Sequence, residues 1–201
     1  MRLRDTYRTV LREAMLQPGL TLGEVAKNWQ MGLAYEEAGC EGYGRTPADF
    51  MFVGISAGRL GALKTRVPFT RDASGRIFQR CLNRLGLSRS DEFSIKPDLV
   101  NCYVTNLVKA RVLTQKGLNR LPTVKEIVYW LPTLREEVSQ VKPKRIIALG
   151  KLVLRWLRRE YPSSLVNYVP HPRWYQAHGA LAQGSRSFEQ MVRDYKVALE
   201  A

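Results

Sequence analysis

The sequence predicts an α/β protein, a three-layer α/β/α fold around a central four-stranded, mostly parallel sheet. Short apolar runs alternate with longer amphipathic segments along residues 50–201, the order typical of a parallel sheet with helices on both faces. Apolar residues make up 45% of the chain and charged residues 25%, which excludes disorder as its main state. With 201 residues, we expect a single domain in which residues 1–49 form a helical extension packed on a core of residues 50–201.

Two helices are predicted in the N-terminal extension. The first covers residues 2–16, where apolar residues recur on one face. The second starts at the capping-box pattern of Thr21 and Glu24 and continues to about Ala38. A glycine-rich turn over residues 39–44 leads to the core.

The first half of the core is predicted from apolar runs and helical periodicity. Residues 50–55 form an apolar run typical of a buried strand, and a basic loop follows over residues 56–70. Residues 72–86 have apolar positions at helical spacing. The next apolar run, residues 99–105, predicts the second strand.

The second half begins with a helix whose capping box is Thr123 and Glu126 and which Pro132 should kink. Its predicted apolar face consists of Val124, Ile127, Val128, Leu131, Leu134 and Val138. The remaining predicted elements are a strand over 145–149, a helix over 151–159, a strand over 166–169 and a final helix capped by Ser187 and Gln190.

Charge is the unusual property of the composition. Lys and Arg number 32 and Asp and Glu 18, a net charge of +14, so a polyanion is the first partner to consider, with an anionic membrane surface as the alternative. Residues 59–89 contain eight basic residues and one acidic residue. Arg76, Arg80 and Arg84 recur every four residues on one helical face. This row either contacts the phosphates of a nucleic acid or is a solvent-exposed outer face.

The cysteines predict neither disulfides nor a metal site. Cys40, Cys81 and Cys102 are far apart in sequence and form no CxxC pair, so we expect buried thiols in a reducing cytoplasm and no bound metal or cofactor. No run of 18 apolar residues occurs, and the N-terminus lacks the apolar segment of a signal peptide. We therefore expect a cytoplasmic protein without membrane contact.

Ligands of parallel sheets bind at the carboxyl ends of the strands. Three groups of residues that could contact a ligand follow the predicted strands of this chain. Small residues, Gly54 to Gly58, follow the first strand and let a ligand approach the backbone, unless they form only a tight turn. Asn106 follows the second strand and can pair with one edge of a base, or can cap a turn. His171 follows the fourth strand between two prolines that restrict its backbone.

Together with the basic loop, these features resemble the uracil-DNA glycosylase superfamily, most closely its thermostable branch with an iron–sulfur cluster. The order and spacing match from about residue 50 to the C-terminus. The motifs that carry the resemblance are Phe52-Val53-Gly54, Pro68-Phe69, Gly75, Tyr103 to Lys109, Pro122 to Pro132, Pro143 to Gly150 and His171-Pro172.

The resemblance implies a flipped nucleotide as substrate and assigns roles to the matching positions. Phe69 would stack on the base, and Asn106 would recognise its hydrogen-bonding edge beside Gly54 and Ile55. His171 would stabilise charge on the departing base. The residues expected to contact DNA are Arg173, Trp174, Tyr175, Lys109, Arg111, Arg76, Arg80 and Arg84.

The departures from the family pattern concern the carboxylate and the cluster. Ile55, Ser56 and Ala57 stand where the branch has a Glu and its relatives an Asp or Asn, so the usual water-orienting carboxylate is missing. Asp72 is the nearest acid in sequence and a candidate for that charge, although its ordinary role is to cap the helix; Ser56 is a candidate to hold water. Ala110 stands at a cluster cysteine position, so we expect no iron–sulfur cluster.

The expected function is therefore that of a monomeric DNA glycosylase, a hydrolase that flips and excises a damaged or modified base. The small Ile-Ser-Ala turn is compatible with a bulky modified pyrimidine such as phages place in their DNA, in DNA repair or in antiviral defence. Two alternatives remain open: a DNA-binding member without catalysis, and an enzyme acting on free nucleotides. The charge of +14 disfavours the second, because a small substrate needs no broad basic face.

Overall fold

The computed structural model describes residues 40–58, 60–110, 112, 119–180 and 184–201. Its centre is a five-stranded sheet with the strand order β1-β3-β2-β4-β5. The strands are β1 (Tyr43–Gly44), β2 (Phe50–Ser56), β3 (Cys102–Val108), β4 (Arg145–Leu149) and β5 (Val166–Val169). Strands β2 to β5 are parallel, which confirms the predicted α/β fold, and the short β1 adds an antiparallel fifth strand that the sequence analysis did not predict.

Six helices are described in these ranges. They are α1 (Ala62–Thr65), α2 (Ala73–Arg84), α3 (Val124–Val141), α4 (Lys151–Glu160), α5 (Pro172–Ala177) and α6 (Arg186–Glu200). No described helix combines the length and apolar character that a membrane crossing requires. The predicted helices over residues 2–16 and 21–38 lie outside the part of the chain that the structure describes.

Two apolar layers cover the two faces of the sheet. On one face, α3 and α4 pack on alternate strand residues such as Met51 and Val53. On the other face, α2, α5 and α6 pack on Phe52 and its neighbours. Successive side chains of a strand point to opposite faces, so each residue of β2 and β3 is assigned to one of the two layers. This alternation decides which side chains at the carboxyl ends of the strands meet each other.

The second predicted strand is shifted by three residues. Asn101 adopts a left-handed conformation with φ of 51°, and its side-chain oxygen accepts a hydrogen bond from the Asp49 backbone N–H at 2.8 Å, so the turn ends there. β3 starts at Cys102 and continues through Thr105 and Asn106, which pair with β2 despite their polarity. Asn106 is therefore inside the strand, not after it.

Helix α3 confirms its predicted start and corrects its predicted face. Thr123 caps the helix, and its hydroxyl and the Glu126 side chain bond each other's backbone N–H groups as a capping box. The helix continues through Pro132. Val124 and Val128, expected to face the core, are 65% and 51% exposed. The buried face instead consists of Ile127, Trp130, Leu131, Leu134, Glu137 and Val141.

The last helix begins earlier than predicted. Ser185 is its N-cap and accepts a hydrogen bond from the Phe188 N–H at 3.2 Å, so the expected cap formed by Ser187 and Gln190 is wrong. Ser187 instead donates to the Tyr175 carbonyl at 3.1 Å, a contact between α6 and α5 that the sequence does not reveal. The predicted inward positions Phe188, Met191 and Tyr195 are buried.

Candidate active site

The candidate site lies on the face of the sheet covered by α2, α5 and α6, at the carboxyl ends of the strands. Gly54 of β2 and Asn106 of β3 are partners in the parallel ladder. The Gly150 N–H donates to the Val169 carbonyl at 3.0 Å, so the ends of β4 and β5 also meet. His171 follows β5 by two residues, and a Cβ placed on Gly150 would lie 3.8 Å from the His171 Cβ.

Gly54 lies beneath two side chains of the candidate site. A Cβ at this position would lie 2.4 Å from Phe69 Cζ and 2.6 Å from Asn106 Oδ1, closer than any side chain allows. Only glycine therefore permits both side chains to cover the end of β2. The phenyl ring of Phe69 lies 6.0 Å from the imidazole of His171, measured between ring centroids. Phe69 and Asn106 thus meet over Gly54, and His171 lies beside Phe69.

The position of Phe69 depends on the start of α2. Its backbone has a φ of 54°, a left-handed conformation that is unfavourable for a bulky residue. Gln79 Nε2 donates to the Phe69 carbonyl at 2.9 Å and holds it in place. A Cβ on Gly75 would lie 2.8 Å from the Phe69 carbonyl carbon, so this glycine lets the first turn of α2 approach the loop.

Asn106 is 2% exposed, and among the described residues nothing forms a hydrogen bond with its side-chain amide. The side-chain amide therefore has hydrogen-bonding capacity that the described part of the protein leaves unused. An amide offers both donors and an acceptor, the pattern needed for one edge of a base. The unused hydrogen-bonding capacity and the chemistry of the amide together fit a ligand that bonds to it.

His171 is held as a neutral hydrogen-bond donor. It is the N-cap of α5, and its Nδ1 accepts a hydrogen bond from the Arg173 N–H at 3.1 Å. Since Nδ1 is the acceptor, the proton of the neutral ring is assigned to Nε2. Burial, and secondly the charge of Arg173, lower the pKa of His171 to about 4. At neutral pH the ring therefore presents an N–H and no charge.

Asp72 is placed by its capping role. Its Oδ1 accepts a hydrogen bond from the Gly75 N–H at 2.7 Å, which confirms the helix cap. Its Oδ2 faces the loop after β2: Cβ atoms placed on Gly58 and Gly61 would lie 3.0 and 2.5 Å from this oxygen. Burial raises the pKa of this carboxyl, although the bond from Gly75 opposes the shift. Ser56, the other candidate, is the last residue of β2 and half-buried.

Three predicted contacts are placed differently by the structure. Ile55 packs with the α3 and α4 layer, on the face of the sheet opposite Gly54, because side chains alternate along β2. Tyr175 is 0% exposed, and its hydroxyl donates to Asp194. Lys109 is also 0% exposed. None of the three side chains is available to a base or phosphate at the surface.

The other predicted DNA contacts fall into two groups. Arg173 is exposed and Trp174 is 49% exposed, directly after His171. On α2, Arg76 and Arg84 are exposed, whereas Arg80 lies over the Phe188 ring at 4.2 Å and donates to the Ala180 carbonyl. Arg80 thus joins α2 to α6. Arg111 lies outside the described residues.

Sequence reasoning missed Gln79 and Glu137. Gln79 holds the Phe69 carbonyl, and no pattern in the sequence singles it out. Glu137 is buried on α3 and pairs with Lys109. Its signal was present in the sequence, because it follows Leu134 by three residues and is thus an acidic residue on the apolar face of the helix.

The residues present do not fit an iron–sulfur cluster, which needs four ligands, usually thiolates. The chain has three cysteines, and all three are buried as free thiols. Burial raises the pKa of Cys40 and of Cys102 to about 12, and the Cys102 thiol donates to the Leu87 carbonyl. Among the described residues, no group of three or more His, Cys, Asp or Glu side chains is arranged to hold a metal ion.

Comparisons with known proteins point to one family. The model of a family described as the uracil DNA glycosylase superfamily matches residues 41–196. A type-5 uracil-DNA glycosylase of Pyrobaculum aerophilum is 35% identical over 117 residues, covering 56% of this chain and 49% of the relative. A type-4 uracil-DNA glycosylase of the same organism is 34% identical over 116 residues, 58% of this chain and 51% of the relative.

A third relative, a type-4 uracil-DNA glycosylase of Saccharolobus solfataricus, is 33% identical over 111 residues, 55% of this chain and 44% of the relative. The chain spans about half the length of the curated relatives it matches. The matched family region includes every residue of the candidate site.

Proposed function

The chain belongs to the uracil DNA glycosylase superfamily, and from this premise we propose that it is a DNA glycosylase, a hydrolase that removes one base from DNA and leaves an abasic site. The observation that best supports the proposal is the meeting of Phe69 and Asn106 over Gly54, with His171 beside them. The likeness to the named relatives also supports it. DNA is then the partner, bound by a protein that we take to be a monomer.

The proposed reaction starts with a base extruded from the stack. Phe69 stacks on its face, and the unpaired amide of Asn106 forms hydrogen bonds with its edge. The bond between the sugar C1′ and the base nitrogen then breaks, and its electron pair leaves with the base. Water supplies a hydroxyl group to C1′ and a proton to the base.

His171 stabilises the departing base in this scheme. Negative charge develops on a base oxygen as the bond breaks, and a neutral imidazole with its proton on Nε2 donates a hydrogen bond to it. A donor fixed in advance acts mainly in the transition state, where the charge is largest. The Arg173 N–H holds the imidazole in the donating tautomer.

Positive charge on the sugar requires an anion, which the DNA phosphates supply in part. We propose that Asp72 supplies the rest and that Ser56 holds the attacking water. Support for Asp72 comes from its free Oδ2, which faces the loop after β2 while Oδ1 caps α2. Ser56 is adjacent to that loop but is itself a poor base.

We propose a damaged or modified base as the substrate, such as a bulky modified pyrimidine of the kind that phages place in their DNA. Support comes from the end of β2, where Ile55 packs on the other face and neither Ser56 nor Ala57 is large. A pocket without a large polar side chain there leaves room for a substituent on the pyrimidine. Both DNA repair and antiviral defence would use such an activity, in a cytoplasmic protein.

A DNA-binding protein without catalysis is the second candidate. It is favoured by the absence of a carboxylate over residues 55–57 and by the capping role of Asp72. The unpaired amide of Asn106 favours catalysis instead, since a protein that only binds DNA has no need of a base pocket. An enzyme for free nucleotides is disfavoured by the net charge of +14.

Incubation with a panel of DNAs tests the proposal. Duplex oligonucleotides with uracil or modified pyrimidines, and phage genomic DNAs, are incubated with the protein and analysed for alkali-labile sites and released base. Release of a base from one of them is the expected result. Tight, salt-sensitive binding without release would support the second candidate, and conversion of free nucleotides without activity on DNA would support the third.

A further inference from the structure

A buried ion pair lies directly behind Asn106. The side chains of Lys109 and Glu137 are both 0% exposed and are paired with each other. Lys109 Nζ also donates to Thr105 Oγ1 and to the Asn106 carbonyl, each at 2.6 Å. The three N–H groups of the ammonium thus bond to Glu137 of α3, to Thr105 Oγ1 and to the Asn106 carbonyl.

The pair joins β3 to α3 on the face opposite the pocket. Glu137 belongs to α3, and its carboxylate accepts from Thr105 Oγ1 at 3.0 Å and from the Tyr103 hydroxyl at 3.4 Å. Tyr103 and Thr105 point toward α3 because side chains alternate along the strand, and Asn106 therefore points toward the pocket. The network holds the backbone of β3 from one side while the amide of Asn106 works on the other.

Stability alone does not account for this arrangement. Removing two charges from water is expensive, and buried ion pairs can often be replaced by apolar residues of similar volume without loss of stability. A fully bonded network of this kind instead fixes one geometry, because each group has partners in only one arrangement. The geometry fixed here is that of the Asn106 carbonyl.

We propose that Lys109 and Glu137 are positioning residues for base recognition: by holding the Asn106 carbonyl, they set the direction of the Asn106 amide in the pocket. This inference rests on the proposed glycosylase function. It reassigns Lys109 from a phosphate contact to a residue that acts through its neighbour. A misplacement of about 1 Å at such a group can reduce the rate about 100-fold.

The test is a double-mutant cycle that joins the pair to Asn106. The variant Lys109→Met/Glu137→Leu removes both charges at similar volume, so that neither is left unpaired, and we expect it to fold. It should lower kcat/KM by about 10- to 100-fold and weaken discrimination between bases. In an Asn106→Ala background the same replacement should have no further effect, because the amide that it positions is gone. Independent, additive losses would overturn the proposal, as would wild-type rate and selectivity.

A second readout does not depend on activity. In protein labelled with ¹⁵N-asparagine, the side-chain amide signal of Asn106, identified by its loss in Asn106→Ala, should shift in the double variant. If that variant does not fold, Thr105→Val replaces it, since it removes one acceptor of the ammonium at nearly constant shape. The control Arg135→Gln/Glu160→Gln removes an ion pair between α3 and α4 away from Asn106 and should leave the signal in place.

The two proposals fail in distinguishable ways. If the wild-type protein releases no base from any DNA, the glycosylase function is contradicted and the amide signal alone decides the role of the pair. If wild-type protein is active and the amide signal does not move in the variant, only the positioning role is contradicted.

Discussion

At the scale of single residues, Asp72 combines two roles that substitution can separate. Asparagine is as good an N-cap as aspartate but has no charge, whereas alanine removes both properties. If Asp72 supplies the anion, Asp72→Asn should lower the rate of base release and leave thermal stability nearly unchanged. Asp72→Ala should in addition lose about 1 kcal/mol of stability. Full activity of Asp72→Asn in single-turnover assays would restrict Asp72 to its cap.

His171 gives a prediction about stability and pH. Its pKa is about 4 in the folded protein, against an ordinary value of 6.5, because burial disfavours the charged ring. Between these values the unfolded chain binds a proton that the folded chain does not, so lowering the pH favours unfolding. The free energy of unfolding of the wild-type protein should therefore fall relative to that of His171→Gln as the pH is lowered from 7.5 to 5, measured by urea unfolding. A difference that does not change with pH would contradict the depressed pKa.

The main site residues were predictable from sequence, but their contacts were not. Asn106 and His171 were expected together because neighbouring parallel strands end at one edge of the sheet, and Phe69 was added by the resemblance to the family. The contact of Gly54 with two of these side chains depends on distances between strands and loops, which only the folded structure shows. Lys109 was misassigned because its partner Glu137 is 28 residues away and only the fold brings them together.

At the scale of elements, α2 gives a test of where the DNA lies. Asp72 caps this helix three residues after Phe69, so Arg76 is near the site, and Arg84 lies about 12 Å further along the axis. Arg76→Gln should reduce the salt dependence of duplex binding, by about 0.9 in the slope for each phosphate that the variant no longer neutralises. Arg84→Gln removes the same charge and should change the slope less.

Thermal unfolding of both α2 variants controls for damage to the helix. Arg80 is left intact in both variants because its contacts with Phe188 and Ala180 connect α2 to the last helix and the chain before it. A larger effect of Arg84→Gln than of Arg76→Gln would place the DNA toward the other end of α2.

The bounds of the last two strands were predicted well, and those of β3 were not. β4 and β5 have the predicted bounds, β5 even though Asn167 interrupts its apolar run. β3 was shifted because Thr105 and Asn106 look like the end of a strand, yet both are bonded within it. The exposed valines of α3 show the same limit, since periodicity gives an apolar face without saying how much of it is covered.

At the scale of the whole molecule, the cysteines predict a colourless protein. Three buried thiols with raised pKa values provide neither the number nor the ionisation state that a cluster of four thiolates requires. Purified protein should therefore lack visible absorbance and contain no iron by elemental analysis. Stoichiometric iron and inorganic sulfide in freshly purified, anaerobically handled protein would contradict this prediction.

The net charge of +14 and the α/β fold together limit the function more than either does alone. The fold places the candidate site at one edge of the sheet, and the charge suits a polyanion outside it. Under the proposed function, the choice of base depends on the few side chains around Phe69, Asn106 and His171.

The central claim is that Phe69, Asn106 and His171 together release a base from DNA, and single-turnover cleavage of an identified substrate tests it most directly. Loss of the His171 donor in His171→Ala should reduce the rate about 10²- to 10³-fold with DNA binding nearly intact. Asn106→Ala should weaken selection of the base, and Phe69→Ala should cost about 1–3 kcal/mol of stacking. Full activity of His171→Ala in this assay would contradict the account, because the chain would then release the base without the group assigned to stabilise it.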